Sequence, residues 1–121
     1  MREPTYFVLA SLLDEPLHGY GIIKRAEELS GGRVRLATGT LYTALDRLAG
    51  EGYVTVIREE VVSGRTRRTY ALTGDGANAV RAEAERMAEA ARVVTDPAGS
   101  RRGTAGAGSR PAPGARRVRP A

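Results

Sequence analysis

The chain has 121 residues and no cysteine, with 19 basic and 14 acidic side chains for a formal net charge of +5. A chain of this length supports one small domain, and the missing thiols exclude a disulfide framework or a thiolate metal site, in keeping with a reducing cytoplasm. No apolar run approaches the roughly 20 residues that cross a bilayer, so no membrane partner is expected.

The excess charge is unevenly placed. Residues 97–121 hold six arginines (Arg101, Arg102, Arg110, Arg116, Arg117 and Arg119) and no acid, so residues 1–96 carry 13 basic against 14 acidic side chains, a net of −1. A nucleic-acid partner for the folded part must therefore be argued from where its charges sit.

Pro4 opens a first helix over PTYFVLASLLDEP, with Val8, Leu9, Leu12 and Leu13 as its apolar stripe and Pro16 closing it. In HGYGIIKRAEELSGG the inward residues are Tyr20, Ile22, Ile23, Ala26 and Leu29, while Lys24, Arg25, Glu27 and Glu28 face out and Gly31 and Gly32 end the helix. The run VRLA, residues 34–37, reads as a brief strand. Thr38 is the expected N-cap of a third helix, with Leu41, Ala44, Leu45 and Leu48 inward and Gly50 and Gly52 as its left-handed exit. YVTVIREEVV and RTRRTYALT form two strands joined by Ser63 and Gly64. Thr73 then caps a last helix from Gly74 to about Val94.

The fold class is thus mainly α with a small β-hairpin: a winged helix-turn-helix over 1–73, a C-terminal dimerisation helix over 74–96, and a tail over 97–121. The tail is dense in Arg, Gly, Pro and Ala and too poor in apolar residues to offset the entropy of ordering, so it is expected to be disordered.

Catalysis has little to stand on. The one histidine, His18, falls between an inter-helix turn and a helix start, a place for a cap or a packing residue. The glycine-rich GTAGAG lacks the preceding strand and following helix of a phosphate loop, no metal-ligand spacing occurs, and no cofactor is expected.

The third helix offers more. Its outward residues are Thr40, Tyr42, Thr43, Asp46 and Arg47. The hydroxyls of Thr38 and Thr40 at a helix start suit phosphate oxygens, and Tyr42, Thr43 and Arg47 suit base edges or sugar. An ordinary solvated face, with Tyr42 folded onto the domain, fits the same pattern. The hairpin adds Arg65, Arg67 and Arg68 at its turn. Alternation sends Arg65 and Arg67 to one face and Arg68, Tyr70 and Leu72 to the other, and a basic wing suits a minor groove or flanking phosphates. A charged edge that resists aggregation is the plain alternative. Helix and wing together favour double-stranded DNA.

In the last helix Ala77, Val80, Ala84, Met87, Ala91 and Val94 recur at spacings of three and four, the seam of paired helices. The expected homodimer interface is Val80, Ala84, Met87, Ala91 and Val94, joined by Tyr6 and Phe7 of the first helix. Small seam residues leave space for a small-molecule effector between protomers. Packing of this helix back onto its own domain is the competing reading.

Three motifs, HGYGIIKRAEE, GTLYTALDRLAGEGYV and GRTRRTYALTGDG, in this order and spacing, resemble the PadR family of bacterial transcriptional regulators over roughly residues 3–94. The resemblance implies a winged helix-turn-helix repressor acting as a homodimer on an inverted-repeat operator. It implies a recognition helix at Thr38–Gly50, a wing at Val61–Arg68 and dimer contacts in the last helix. By position, the family's DNA-contacting tyrosine falls on Tyr42, the basic residue of its second helix on Lys24, and its wing glycine and following basic residue on Gly64 and Arg65. The chain departs from the family pattern with Thr43 where proline is usual and with no tryptophan in its last helix, and it matches the short subgroup. Two other classes remain: a winged helix used for protein–protein contact, and a non-specific DNA-binding protein working through the basic tail.

Overall fold

The computed structural model describes residues 1–96, so the expectation of a disordered tail over 97–121 lies outside the described residues. In chain order the elements are α1 (Glu3–Ser11), β1 (Leu17–His18), α2 (Gly19–Leu29), α3 (Thr38–Gly50), β2 (Val54–Val62), β3 (Arg65–Leu72) and α4 (Gly74–Thr95). By internal packing the chain divides into a unit of Met1–Ala84 and a second unit beginning at Glu85. That boundary lies inside α4, so the first turns of this helix belong with the winged part.

The core is built from one stripe of each helix. Val8, Leu9 and Leu12 meet Ile22 of α2 and Leu41, Leu45 and Leu48 of α3, and Val54, Tyr70 and Val80 close the cluster. Burying each such aliphatic side chain contributes about 1.5–3 kcal/mol. The α1 stripe is shorter than its spacing suggests. The helix ends at Ser11, whose buried hydroxyl donates to the Val8 carbonyl at 2.6 Å, and Leu13 is exposed. In α2 only Ile22 and Ala26 are fully buried among the expected inward side chains, and Ile23 is half-buried. Tyr20 and Leu29, expected inside, are exposed.

Two local expectations are corrected at the next turn. VRLA is not a strand; the chain turns at Gly31 and Gly32, with φ of +65° and +87°, and buried Ser30 ties the turn by accepting from the Val34 N–H at 2.9 Å. Thr38 is the first residue of α3, not its cap; Ala37 occupies the cap position with no side-chain hydrogen bond.

The sheet order is β1-β3-β2, all antiparallel. The short β1 pairs Leu17 with Tyr70 and His18 with Thr69, a strand invisible in the sequence pattern because it is two residues long. Ser63 and Gly64 have φ of 53° and 77°, the double positive φ that a two-residue hairpin turn requires. Counting back from this turn, Val62 faces Arg65, Glu60 faces Arg67 and Glu59 faces Arg68, whereas Val56 faces Tyr70. The two registers differ by one residue, and Ile57 is the extra residue in a bulge that bends the wing. At the far end Thr73 caps α4, accepting from the Gly76 N–H at 3.0 Å while donating to the Gly52 carbonyl at 2.6 Å.

Candidate nucleic-acid interface

Leu41, Leu45 and Leu48 anchor α3 in the core, and this fixes which residues remain outside. The outward residues divide into two sets. Thr40, Thr43 and Arg47 line a cleft of about 760 Å³ against Pro4, Thr5 and Val8 of α1. Arg47 bridges it, donating to Thr5 Oγ1 at 3.1 Å and lying 3.6 Å from Glu51. Thr38 is exposed at the start of the helix.

Tyr42 turns the other way, toward α2. Its hydroxyl lies across Gly19, so close that a β-carbon there would sit 2.4 Å from it. The ring is nevertheless 38% exposed, so it is both packed on the domain and open to a partner. Gly19 itself follows His18, whose Nδ1 accepts from the Gly21 N–H at 3.3 Å as the N-cap of α2. The histidine is a cap. One turn on, the Lys24 ammonium lies 5.8 Å from the Tyr20 ring centroid, an exposed cation–π pair on the outer surface of α2.

Behind Tyr42 stands the buried Tyr70 of β3. Burial pushes its phenol above the ordinary range; the Arg68 guanidinium opposes this, and Tyr42 and Asp46 add to the upward push. As alternation along β3 requires, Arg68 shares the face of Tyr70. Its own pKa is raised, first by a hydrogen bond to Glu59 and then by that carboxylate's charge.

The wing arginines are therefore not equivalent. Arg68 lies 2.7 Å from Glu59 and Arg67 lies 3.3 Å from Glu60, both across the strand pair. Arg65, next to Gly64 at the tip, and Arg58 beyond the bulge are exposed with no carboxylate partner among the described residues. Arg58 and Gly19 escaped the sequence reading. Arg58 stands beside Glu59 and Glu60 in the chain and looks neutralised, and only the cross-strand register shows that those acids are engaged elsewhere.

The expected dimer residues separate as well. Val80 is 2% exposed and belongs to the protomer's own core, which corrects its assignment to an interface. Tyr6 and Phe7 are half-buried and meet edge to face at 5.2 Å, with Tyr6 packed on the core. Ala84 is half-buried, and Met87, Ala91 and Val94 are exposed. Among the described residues no group of acids and histidines could hold a metal, and no helix is long and apolar enough to cross a membrane.

The transcriptional regulator PadR-like family matches residues 8–82. The chain is 35% identical over 102 residues to a transcriptional regulator of Mycobacterium tuberculosis, covering 84% of this chain and 89% of that protein. It is also 40% identical over 87 residues to an uncharacterized 37.1 kDa protein in transposon TN4556 of Streptomyces fradiae; this covers 72% of the chain but spans only 24% of that protein. Among solved structures it is similar to a PadR family transcription regulator of Clostridium difficile, with TM-score 0.64, 23% identity and coverage of 78% and 96% of the two chains. It is similar too to Bacillus subtilis PadR in complex with operator DNA, with TM-score 0.58, 26% identity and coverage of 66% of this chain and 46% of that one.

Proposed function

The chain belongs to the PadR-like family of transcriptional regulators, and on that premise we propose that it binds operator DNA as a homodimer and represses transcription. The observation that carries the reading is the likeness to Bacillus subtilis PadR, whose structure is a complex with operator DNA. The family is one of regulators rather than enzymes.

In this reading α3 enters the major groove. Tyr42 and Thr43 meet base edges or sugar, Thr38 and Thr40 meet phosphate, and Lys24 of α2 holds the flanking backbone. Gly64 lets the wing tip approach closely, and Arg65 reaches the minor groove or its phosphates. Arg47 and Arg67 contribute less, because each is already paired with an acid. Met87, Ala91 and Val94 form the seam with a second copy, extended at Ala84, and Tyr6 and Phe7 add area from α1. Pairing sets two recognition helices about one DNA turn, roughly 34 Å, apart and selects an inverted repeat. A small-molecule inducer would sit in the alanine-rich seam and change that spacing.

Selection of bound sequences from a random duplex pool tests the reading. An inverted repeat should emerge, and Tyr42→Ala, Lys24→Ala and Arg65→Ala should each bind it more weakly than wild type. If all three variants bind the selected site like wild type, the assignment is wrong. A protein–protein role has one observation in its favour: Ile57 and Val61 of the wing are 52% and 74% exposed. Salt separates the two readings, since DNA binding weakens steeply with salt through counterion release.

A further inference from the structure

We propose that Gly19 is a positioning residue for Tyr42: the missing side chain at the start of α2 is what allows the phenol of α3 to lie across it. The proposal rests on the DNA-binding reading of Tyr42 and adds the residue that aims it.

Most glycines in turns serve the backbone. Gly31, Gly32, Gly52 and Gly64 have positive φ, and a β-carbon on any of them would meet nothing within 4 Å. Gly19 is the reverse case. Its φ is not positive, and it opens an eleven-residue helix, so its backbone accepts any L residue. The three heavy atoms nearest to such a β-carbon all belong to Tyr42: Oη at 2.4 Å, Cζ at 3.0 Å and Cε1 at 3.5 Å.

The obstacle is the far end of a flexible side chain, not backbone. Leu41 and Leu45, both fully buried, hold α3 in place, and Tyr42 is open enough to solvent for its ring to swing outward. A methyl group at residue 19 should therefore leave the fold intact and displace the phenol. Gly76 gives the contrast, because a β-carbon there would lie 2.1 Å from the Tyr53 carbonyl oxygen. Backbone cannot swing away. The close approach joins the start of α2, with Lys24 one turn further on, to the middle of α3, so that contacts from both helices keep one fixed spacing.

Gly19→Ala in the full chain tests this, with Tyr42→Ala, Tyr42→Phe and Gly19→Ala/Tyr42→Phe beside it. Circular dichroism and the thermal midpoint of Gly19→Ala should match wild type, while operator affinity falls about tenfold, the loss of one good contact. Phenylalanine removes the atom at 2.4 Å, so adding Gly19→Ala to Tyr42→Phe should weaken binding further by less than about threefold, a non-additive cycle. Without DNA, ring resonances of labelled Tyr42 should move in Gly19→Ala. If Gly19→Ala binds like wild type while Tyr42→Ala does not, the positioning role is wrong and the DNA reading stands. If Gly19→Ala unfolds the protein, or Tyr42 resonances stay in place, the role is likewise refuted. If Tyr42→Ala binds like wild type, the DNA-binding role of Tyr42 fails, and with it the affinity loss expected of Gly19→Ala.

Discussion

Replacing Arg65 by alanine removes a wing charge that no carboxylate of the described residues neutralises, whereas Arg67 on the same face of β3 lies 3.3 Å from Glu60. An arginine that neutralises one phosphate of duplex DNA releases condensed counterions, and the slope of log affinity against log salt changes by about 0.9 for each such contact. Arg65 should account for a full contact. Arg67 should not, because moving to a phosphate leaves Glu60 facing the same polyanion, and the net charge delivered is close to zero. Between about 50 and 200 mM salt, a slope difference of about 0.9 corresponds to roughly 3.5-fold in affinity. Fluorescence anisotropy with the selected operator, repeated across this salt range, should show Arg65→Ala lowering the magnitude of the slope by about 0.9 and Arg67→Ala by less than about half of that. Glu60→Gln should steepen the slope by uncovering Arg67. Exposed pairs of this kind contribute about 0–1 kcal/mol to folding, so the thermal midpoints should stay close together. Equal losses for Arg65→Ala and Arg67→Ala would show that the cross-strand pairing does not control the wing's charge, and the reasoning would fail.

Met87→Glu places two carboxylates across the proposed two-fold seam, and sedimentation should find a monomer; an intact dimer at micromolar concentration would put the interface elsewhere. Gly76→Ala drives a β-carbon into the Tyr53 carbonyl, which also accepts from the Thr73 N–H at 3.1 Å and cannot yield. Urea denaturation should show a loss near the top of the ~1–3 kcal/mol range for overpacking, and an unchanged midpoint would refute the clash. Tyr70 has a folded-state pKa raised by burial, so above about 10 the unfolded chain releases this proton first. Stability should be unaffected by this group below about 10 and fall as pH rises beyond that, and Tyr70→Phe should flatten the decline; an equal decline in both proteins would remove burial as its cause.

What the sequence determined by itself is the part written in periodicity and turn chemistry. Leucines at three- and four-residue spacing put Leu41, Leu45 and Leu48 inside because a helix brings such positions to one face. Ser63 and Gly64 fixed a two-residue turn, and the turn alone sets Glu60 against Arg67 and Glu59 against Arg68. Thr73 announced a helix cap because its hydroxyl suits that position. Tertiary structure decided the rest, wherever two segments distant in the chain compete for one place. The bulge at Ile57 exists because the register set by the turn and the register set by Val54 in the core differ by one residue. The first turns of α4 pack on the core, which takes Val80 away from the seam its spacing suggested. Tyr20 lies outside although helical spacing allows it inside, because Ile22 and Ala26 fill the space beneath α2. The close approach of Tyr42 to Gly19 joins residues 23 positions apart, and no local rule of periodicity or propensity reports a contact between side chain and backbone at that separation.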